Sequence, residues 1–320
     1  MDAFFYEAFE EEEVALRSML GNRFSYELTG ETIQEAGHTD PPARLISIRT
    51  QSSVPAAWAG KVDAVLSRST GYDHLIEYRA AMQPSPALGY LEEYATRAVA
   101  EHAIMIAMAL LRNLPQQIRQ FPVFNRDGLT GKECASRNLL VVGVGRIGGE
   151  IVKLGRVLGF SVRGVDIAPG KVDVEFVSKE EGLSWADVVI CAMNLTQANT
   201  GYFSTEALRQ GKRGLIFINI ARGEHAPLAD LVLLLEEGHL GGVGLDVFED
   251  EGILATAMRS HSKGNPPLSV GHARKLLQFP NVILTPHNAF NTEEAVQRKA
   301  RMSVGQVESF LRTGRFLWQL

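Results

Sequence analysis

The stretch Asn138–Asp166 constrains the fold of this 320-residue chain more than any other part of the sequence. It begins with the apolar run Leu139–Val142, which is typical of a strand buried on both faces of a parallel sheet. The pattern G-x-G-x-x-G follows, and apolar residues then recur with the spacing of one helix face. A second apolar run ends in Asp166. This order of strand, glycine-rich turn, helix, strand and acid predicts a unit that binds a dinucleotide.

The glycines of the motif are expected to serve three different purposes. Gly143 permits a tight turn, Gly145 lets the backbone approach a pyrophosphate, and Gly148 lets helix and strand pack closely. Amide groups at the start of the helix then face the phosphates. Asp166 suits the two ribose hydroxyls of NAD and repels a 2′-phosphate, so NAD is the predicted cofactor. The alternative is a glycine-rich turn that binds no ligand.

Composition and charge limit the class of protein. The chain is 45% hydrophobic and 22% charged, and its net charge of −5 comes without a basic cluster, so neither nucleic acid nor an anionic membrane surface is a predicted partner. No run approaches the roughly 18 apolar residues of a membrane-spanning helix, and the acidic N-terminus lacks the basic flank of a signal peptide. The two cysteines, Cys134 and Cys191, form no metal-binding or disulfide pattern, so we expect a reducing, cytoplasmic location.

The beginning of the chain alternates predicted strands and helices and should form a small parallel-sheet domain. One helix is expected from the acidic run Glu10–Glu13 to about Leu20, with its carboxylates at the positive end of the helix dipole and facing solvent. A longer helix, from Ala95 to about Arg119, should bridge two domains and bend or end at Pro115.

Beyond the glycine motif the alternation of strand and helix is regular and predicts a doubly wound parallel sheet. Residues 252–278 interrupt it and are interpreted as an insertion or a long loop. A helix at Thr292–Thr313 should pack back on the first domain, which makes that domain discontinuous. We therefore predict an α/β protein with two doubly wound parallel-sheet domains: a substrate domain formed by residues 1–100 and 291–320, and an NAD-binding domain formed by residues 101–290.

Arg222, Glu251 and His287 each follow a predicted strand of the second sheet. The carboxyl ends of parallel strands lie at one edge, where ligands of open α/β sheets bind, so the three side chains should meet there. Hydride transfer between a nicotinamide and an alcohol also requires proton transfer, for which histidine, with its ordinary pKa of about 6.5, is suited near neutral pH. A neighbouring carboxylate would orient the imidazole, and an arginine would hold a substrate carboxylate.

Several ordered motifs resemble those of the D-isomer-specific 2-hydroxyacid dehydrogenases, and together they cover nearly the whole chain. They are Arg68–His74, Tyr94–Thr96 with Val99–His102, Asn219–Gly223, Gly244–Glu249 and Pro280–His287. The resemblance implies a Rossmann NAD-binding domain, a flavodoxin-like substrate domain and a homodimer formed through the NAD-binding domain. It also implies that the protein interconverts a 2-keto acid and a D-2-hydroxy acid with NAD.

The resemblance implies a role for each strand-end residue. Arg222 resembles the family's substrate-carboxylate arginine, and His287 resembles its general acid/base, paired with Glu251. Glu249 competes for this pairing, but its offset from Asp246 differs from the family pattern. The substrate-binding residues that the resemblance implies are Thr70, Gly71, Tyr94 and Arg222. The expected NAD contacts are Gly143, Gly145, Arg146, Ile147, Gly148, Asp166, Met193, Asn194, Asn199, Ile220, Ala221, Arg222, Asp246 and His287.

Two positions depart from the family pattern. Asn194 stands where the family usually has a proline, and His225 stands where many members have an apolar residue. We expect His225 to be a surface histidine or one remote from the ligand. His74 and His102 are expected to have structural, hydrogen-bonded roles, and His239 is expected to be solvated.

Two other functions are compatible with the same motifs. One is a different oxidoreductase on this scaffold, such as a phosphite- or formate-type dehydrogenase. The other is an NAD-sensing regulatory protein in which the fold serves partner binding.

Overall fold

The chain forms two compact units in a computed structural model that describes residues 1–81, 83–168, 170, 172–260 and 267–320. Unit 1 comprises Met1–Ala95 and Asn291–Leu320, and unit 2 comprises Thr96–Phe290. In chain order the strands and helices are β1 (Ala3–Phe5), α1 (Glu10–Leu20), β2 (Tyr26–Leu28), α2 (Ile33–Ala36), β3 (Leu45–Ile48), β4 (Ala64–Ser67), α3 (Asp73–Ala81), β5 (Ala87–Gly89), α4 (Thr96–Leu111), α5 (Leu114–Gln120), β6 (Asn138–Val142), α6 (Arg146–Val157), β7 (Ser161–Val165), β8 (Glu175–Phe176), α7 (Lys179–Trp185), β9 (Val188–Cys191), α8 (Thr205–Leu208), β10 (Leu215–Asn219), α9 (Leu228–Glu236), β11 (Leu240–Leu245), α10 (Glu251–Ser260), α11 (Leu268–Leu276), β12 (Val282–Leu284) and α12 (Glu293–Thr313).

Unit 1 is built on a five-stranded sheet with the order β2-β1-β3-β4-β5, in which every pair of neighbours is parallel. This is the strand order of flavodoxin-like sheets. Every residue of β3 and β4 is buried, as expected for central strands covered on both faces. The C-terminal helix α12 belongs to this unit, so unit 1 is formed by both ends of the chain.

The strand β5 is absent from the pattern-based prediction. It has only three residues and ends in Gly89, which carries no strand signal. Its glycine has a packing reason, because a Cβ atom there would lie 2.5 Å from the ring of Phe316. The ring of Phe316 therefore occupies the space that a side chain would fill.

The acidic run at the start of α1 differs from its prediction. The helix spans Glu10–Leu20 as expected, but Glu12 is only 1% exposed. Its carboxylate accepts a hydrogen bond from Arg68 Nε at 2.8 Å and lies 3.1 Å from Lys299 Nζ. The expectation of a wholly solvated face was wrong because two buried cations from distant parts of the chain converge on this one carboxylate.

Unit 2 contains a seven-stranded parallel sheet with the order β12-β11-β10-β9-β6-β7-β8. The chain runs outward from β6 to β8 and then returns to the other side of β6 with β9. This reversal creates a crevice at the carboxyl ends of β6 and β9, which is the usual ligand site of doubly wound sheets. The α/β architecture with a Rossmann sheet is thereby confirmed.

The predicted long helix is two helices. α4 ends at Leu111, and α5 begins at Leu114 with Pro115 in its first turn. Asn113 separates them with a left-handed backbone (φ 52°). Pro115 therefore starts a helix rather than ending one, since its missing N–H is no loss in a first turn.

The stretch 252–278 is not a long loop where it is described. Most of it belongs to the helices α10 and α11, and residues 261–266 lie outside the described residues. Pro267 directly precedes α11, whose Val270, Ala273 and Leu276 are buried at helical spacing. Pro267 therefore stands at a helix start, where its missing N–H is no loss. Along the described chain, no helix is long and apolar enough to cross a membrane.

Candidate active site

The glycine turn after β6 has a distinct reason for each glycine. Gly143 has a φ of 90°, and a Cβ atom there would lie 2.5 Å from the backbone of Met193. A Cβ atom on Gly148 would lie 2.0 Å from the carbonyl oxygen of Gly143. At Gly145, by contrast, nothing lies within 4 Å of the Cβ position. The first and third glycines therefore serve packing within the protein, whereas the second faces open space where a ligand can approach.

The helix α6 begins directly after this turn. Its first two residues are Arg146 and Ile147, whose backbone N–H groups have no acceptor within the helix at these positions. Gly145 precedes them and offers no side chain to cap the helix. The start of α6 thus presents amide groups beside the open space at Gly145, an arrangement that suits an anion.

Asp166 makes contacts within the protein that the sequence pattern did not predict. Its Oδ2 accepts a hydrogen bond from the backbone of Val144 at 2.6 Å, and its Oδ1 accepts one from the backbone of Ala168 at 2.8 Å. The carboxylate at the end of β7 therefore holds the glycine turn in place. Each oxygen retains a lone pair with which it could accept from a ribose hydroxyl.

The segment Met193–Asn199 follows β9 on the other side of the crevice. The side chain of Asn199 makes two hydrogen bonds within this segment. Its Oδ1 accepts from the backbone N–H of Thr196 at 2.7 Å, and its Nδ2 donates to the carbonyl of Asn194 at 2.8 Å. Of the predicted NAD contacts, Asn199 therefore acts within the protein to fold this segment, and Met193 lies against the glycine turn.

The turn that carries Arg222 is held by Asn219, the last residue of β10. Asn219 is 1% exposed; its Nδ2 donates to the Arg222 carbonyl at 2.8 Å, and its Oδ1 accepts from the backbone of Ala221 at 3.0 Å. Sequence reasoning missed this role, although a buried asparagine at the end of an apolar strand is a usable signal. The Arg222 side chain is half-buried, and its Nη1 donates to the carbonyl of Ala221 at 2.8 Å.

Gly223, next to Arg222, packs closely against the backbone of the loop that leads to Glu251. A Cβ atom on Gly223 would lie 1.8 Å from the carbonyl carbon of Phe248 and 2.1 Å from the amide nitrogen of Glu249. Both atoms belong to the backbone, so no side-chain rotation can make room.

We expect Gly223→Ala to lower the free energy of unfolding by about 1–3 kcal/mol through overpacking. It should also lower kcat/KM, because both loops must shift. Gly271→Ala is the matched control: nothing lies within 4 Å of its Cβ position on α11, and alanine should stabilise that helix by about 0.5–1 kcal/mol. Urea unfolding and steady-state rates measure both effects, and equal behaviour of the two variants would contradict the steric argument.

The side chains of His287 and Glu251 are in direct contact. The Nδ1 atom of His287 lies 2.7 Å from Glu251 Oε1, and both side chains are partly exposed. Glu249, the competing carboxylate, instead accepts a hydrogen bond from the backbone of Leu228 at 3.3 Å, and burial raises its pKa. The structure therefore pairs His287 with Glu251.

The backbone on both sides of this pair is strained. His287 has a φ of 52°, and Asp250, which precedes Glu251, also has a φ of 52°. Non-glycine residues in this left-handed region cost of order 1–3 kcal/mol and persist where the surrounding structure enforces them, often at functional sites.

Asp246 enforces the conformation of the His287 loop. It is 1% exposed; its Oδ1 accepts from Thr285 Oγ1 at 2.5 Å and from the Asn288 amide at 2.8 Å, and its Oδ2 accepts from the Ala289 amide at 2.9 Å. The Nε2 atom of His102 lies 3.1 Å from the same Thr285 hydroxyl, and burial lowers the pKa of His102. His102 is therefore a hydrogen-bonded structural histidine, and Asp246 fastens the loop on both sides of His287.

The substrate-binding residues implied by the resemblance lie partly in unit 1. The Thr70 hydroxyl donates to the carbonyl of Glu92 at 2.8 Å, and the Gly71 carbonyl accepts from Ser69 Oγ at 2.7 Å. Tyr94 is 8% exposed, with its ring centre 5.8 Å from Lys299 Nζ. Within unit 1, Thr70, Gly71 and Tyr94 are therefore held by contacts of their own.

The sheet of unit 2 has the doubly wound order of dinucleotide-binding domains, and the comparisons with known proteins identify the family. The family model described as D-isomer specific 2-hydroxyacid dehydrogenase, NAD binding domain, matches residues 104–289. The chain belongs to the D-isomer specific 2-hydroxyacid dehydrogenase family. It is therefore an NAD-dependent oxidoreductase, and NAD is its cofactor.

Individual relatives span almost the whole chain. 2-hydroxyacid dehydrogenase A of Aspergillus oryzae is 30% identical and covers 90% of this chain and 83% of its own length. A D-lactate dehydrogenase of Streptococcus agalactiae is 28% identical over 95% of both chains.

Solved structures show the same fold. D-lactate dehydrogenase from Aquifex aeolicus, complexed with NAD and lactic acid, matches with a TM-score of 0.86 at 23% identity over 99% of each chain. D-2-hydroxyisocaproate dehydrogenase matches with a TM-score of 0.84 at 26% identity over 100% of this chain and 99% of that one.

Proposed function

We propose that this protein reduces a 2-keto acid to the D-2-hydroxy acid, or catalyses the reverse oxidation, with His287 as general acid/base. The observation that carries the proposal is the 2.7 Å contact of His287 Nδ1 with Glu251, in the same unit as the glycine turn and Arg222. A carboxylate at Nδ1 favours the tautomer that presents Nε2 to a substrate oxygen, and it stabilises the imidazolium.

NADH, when bound, supplies the hydride that adds to the carbonyl carbon of the keto acid. The glycine turn and the first turn of α6 would hold its pyrophosphate, and Asp166 would accept from its ribose hydroxyls. The open space at Gly145 and the remaining lone pairs of Asp166 fit this assignment.

Residues of the chain neutralise the negative charge that develops on the substrate oxygen. As the hydride adds, the carbonyl π electrons move to oxygen, and His287 Nε2 donates its proton there; a neutral imidazole and a hydroxyl group result. In the reverse direction the neutral imidazole takes that proton. Arg222 would hold the substrate carboxylate, with backbone amides of Thr70 and Gly71 and a contact from Tyr94 added as the resemblance implies.

Arg222→Lys should lower kcat/KM for a 2-keto acid by about 10–100-fold, mainly through KM. Lysine keeps the charge but loses the planar pair of donors that matches a carboxylate. Arg213→Lys is the matched control, because Arg213 precedes the same strand at its other end and donates to the Glu237 carbonyl at 3.0 Å. Steady-state kinetics test this, and similar KM values for both variants would contradict the role of Arg222.

The side chain of the substrate is the remaining specificity question. Relatives are named for lactate and for 2-hydroxyisocaproate, whose side chains differ greatly in size. A panel of 2-keto acids of increasing size, followed by NADH consumption, tests the proposed reaction directly. Turnover with phosphite or formate instead would indicate the other dehydrogenase type, and NADH binding without turnover on any substrate would indicate a regulatory protein.

We also propose that two copies pair through unit 2. Leu114–Phe124, comprising α5 and the turn after it, exposes five large apolar side chains by 44–78%. They are Leu114, Ile118, Phe121, Val123 and Phe124. An apolar surface of this kind marks an interaction site, and a second copy offers the same surface in a symmetric, self-complementary contact. This agrees with the homodimer that the family resemblance implies.

The double substitution Phe121→Glu with Phe124→Glu should convert the dimer to a monomer, because it places charges in an apolar contact. Val14→Glu is the matched control, since Val14 is 68% exposed on α1 of unit 1. Analytical ultracentrifugation measures the assembly state. A monomeric unsubstituted protein, or a dimer that survives the double substitution, would refute this interface.

A further inference from the structure

His225 is fully buried, and both of its ring nitrogens face backbone carbonyls. Nδ1 lies 3.2 Å from the carbonyl oxygen of Asn199, and Nε2 lies 3.2 Å from that of Met193. A carbonyl oxygen can only accept, and a neutral imidazole carries only one N–H. Both contacts are therefore hydrogen bonds only when the ring is an imidazolium. In the neutral ring, one nitrogen lone pair faces a carbonyl oxygen.

The ring links two parts of the NAD site. Two backbone hydrogen bonds, each 2.8 Å long, hold the residues after Asn199 to the His225 turn. The N–H of Gly201 donates to the carbonyl of Glu224, and the N–H of Phe203 donates to the carbonyl of His225. The ring contacts extend this attachment back to Met193, whose backbone packs against Gly143 of the glycine turn. His225 thus connects the Arg222 turn with the segment that borders the dinucleotide crevice.

The surroundings of the ring determine when it carries a charge. Burial lowers the pKa of His225, while the two carbonyls act in the opposite direction. Of the charged neighbours on its own turn, Glu224 favours the imidazolium and Arg222 opposes it. The facing residues 193–199 include no ionisable side chain, and beyond them burial raises the pKa of Tyr202 above 10. The ring therefore loses its charge at a lower pH than an ordinary histidine, and the facing segment stays uncharged.

We propose that His225 is a positioning residue for NADH: as an imidazolium it holds Met193–Asn199 against the glycine turn, and as a neutral ring it releases one carbonyl and weakens NADH binding. This inference goes beyond the proposed reaction. It requires that the chain binds NAD, as its family does, but not that it reduces a 2-keto acid. Failure of the reaction would leave it intact, because its readout is NADH affinity rather than turnover.

The first test is the dissociation constant of NADH, measured by fluorescence titration between about pH 5 and about pH 8. His225→Phe and His225→Asn should bind NADH about tenfold more weakly than the unsubstituted protein at the acidic end, and about equally at the alkaline end. The matched control is His239→Phe. His239 is also buried, but its Nε2 faces a single carbonyl, that of Leu208, at 3.0 Å, which a neutral ring can satisfy. A loss of affinity that does not vary with pH would overturn the proposal.

A second test needs no substituted protein to fold. Nitrogen NMR of labelled histidine rings follows both nitrogens of His225 in the unsubstituted chain, with and without NADH. Because the coupling of proton and NADH binding is reciprocal, NADH should raise the pKa of His225. An unchanged midpoint, or a ring that stays neutral throughout the range, would overturn the proposal.

Discussion

Replacing His287 with alanine is expected to lower kcat for a 2-keto acid by about 10²–10⁴-fold, because the developing alkoxide loses its positioned proton donor. The affinity for NADH should stay close to that of the unsubstituted protein, since the glycine turn and Asp166 lie on other strands. Steady-state rates and a fluorescence titration of NADH separate the two effects. Turnover within about tenfold of the unsubstituted protein would mean that His287 is not the acid/base.

The two carboxylates near His287 provide a matched pair of controls. Glu251→Gln keeps the shape but removes the charge that faces Nδ1 at 2.7 Å, so it should lower kcat, though less than the loss of the imidazole. Glu249→Gln removes a carboxylate that binds the Leu228 backbone instead, and it should leave kcat nearly unchanged. Equal losses in both variants would show that the His287–Glu251 pairing does not determine catalysis.

Replacing Glu12 with glutamine is expected to destabilise unit 1 by about 3–5 kcal/mol, because breaking a buried ion pair strands the remaining charges. Glu12 balances both Arg68 and Lys299, and all three side chains are 0–1% exposed. Burial lowers the pKa of Lys299 to about 7, so this lysine can lose its charge at modest cost. An arginine cannot, and Arg68 would be the uncompensated buried cation.

The neighbouring Glu13 is the control on the same helix. It pairs with Arg17 at 2.7 Å, but its side chain is 36% exposed, so Glu13→Gln should change stability by less than about 1 kcal/mol. Urea unfolding followed by tryptophan fluorescence in a Trp185→Phe background restricts the signal to Trp58 and Trp318, both in unit 1. Equal effects of the Glu12 and Glu13 substitutions would contradict the buried network.

Acid unfolding gives the same network a second signature. Burial opposes the ionisation of Glu12, but Arg68 and Lys299 outweigh it and lower the pKa to about 2 from 4.5. In the unfolded chain this carboxylate takes up its proton at higher pH than in the folded chain. The stability that it contributes is therefore complete above pH 4.5 and is lost as the pH falls through about 2. The Glu12→Gln variant should lack this part of the acid dependence.

Much of unit 2 could be predicted from local patterns. The apolar run Leu139–Val142 was predicted as a buried strand, and it forms four of the five residues of β6. The glycine turn was predicted because its backbone demands are local, and the structure gives Gly143 and Gly148 the close contacts that exclude a side chain. The pairing of His287 with Glu251 follows from parallel strands, which bring residues 36 positions apart to one edge.

Other features depend on which surfaces meet. Residues 252–278 were interpreted as an insertion or a long loop, but the helix at Leu268–Leu276 is held by buried contacts of Val270 and Leu276. Asn219 and Asp166 have ordinary sequence contexts. Only their hydrogen bonds to the backbone of Arg222 and Val144 show that each holds a loop in place. His225 was expected at the surface or away from the ligand, and it is instead buried between two carbonyls of another segment.

By itself, the sequence determined the alternation of strand and helix around the glycine turn, the turn itself and the strand-end position of Arg222, Glu251 and His287, because these depend on residue period and turn chemistry. Only the tertiary structure decided that Glu12 is buried and paired, because its partners lie 56 and 287 positions away along the chain. A run of acidic residues has the same pattern whether it faces water or a buried cation. The difference is the desolvation of the carboxylate and its pairing with Arg68 and Lys299, which arise only when α1, β4 and α12 pack together.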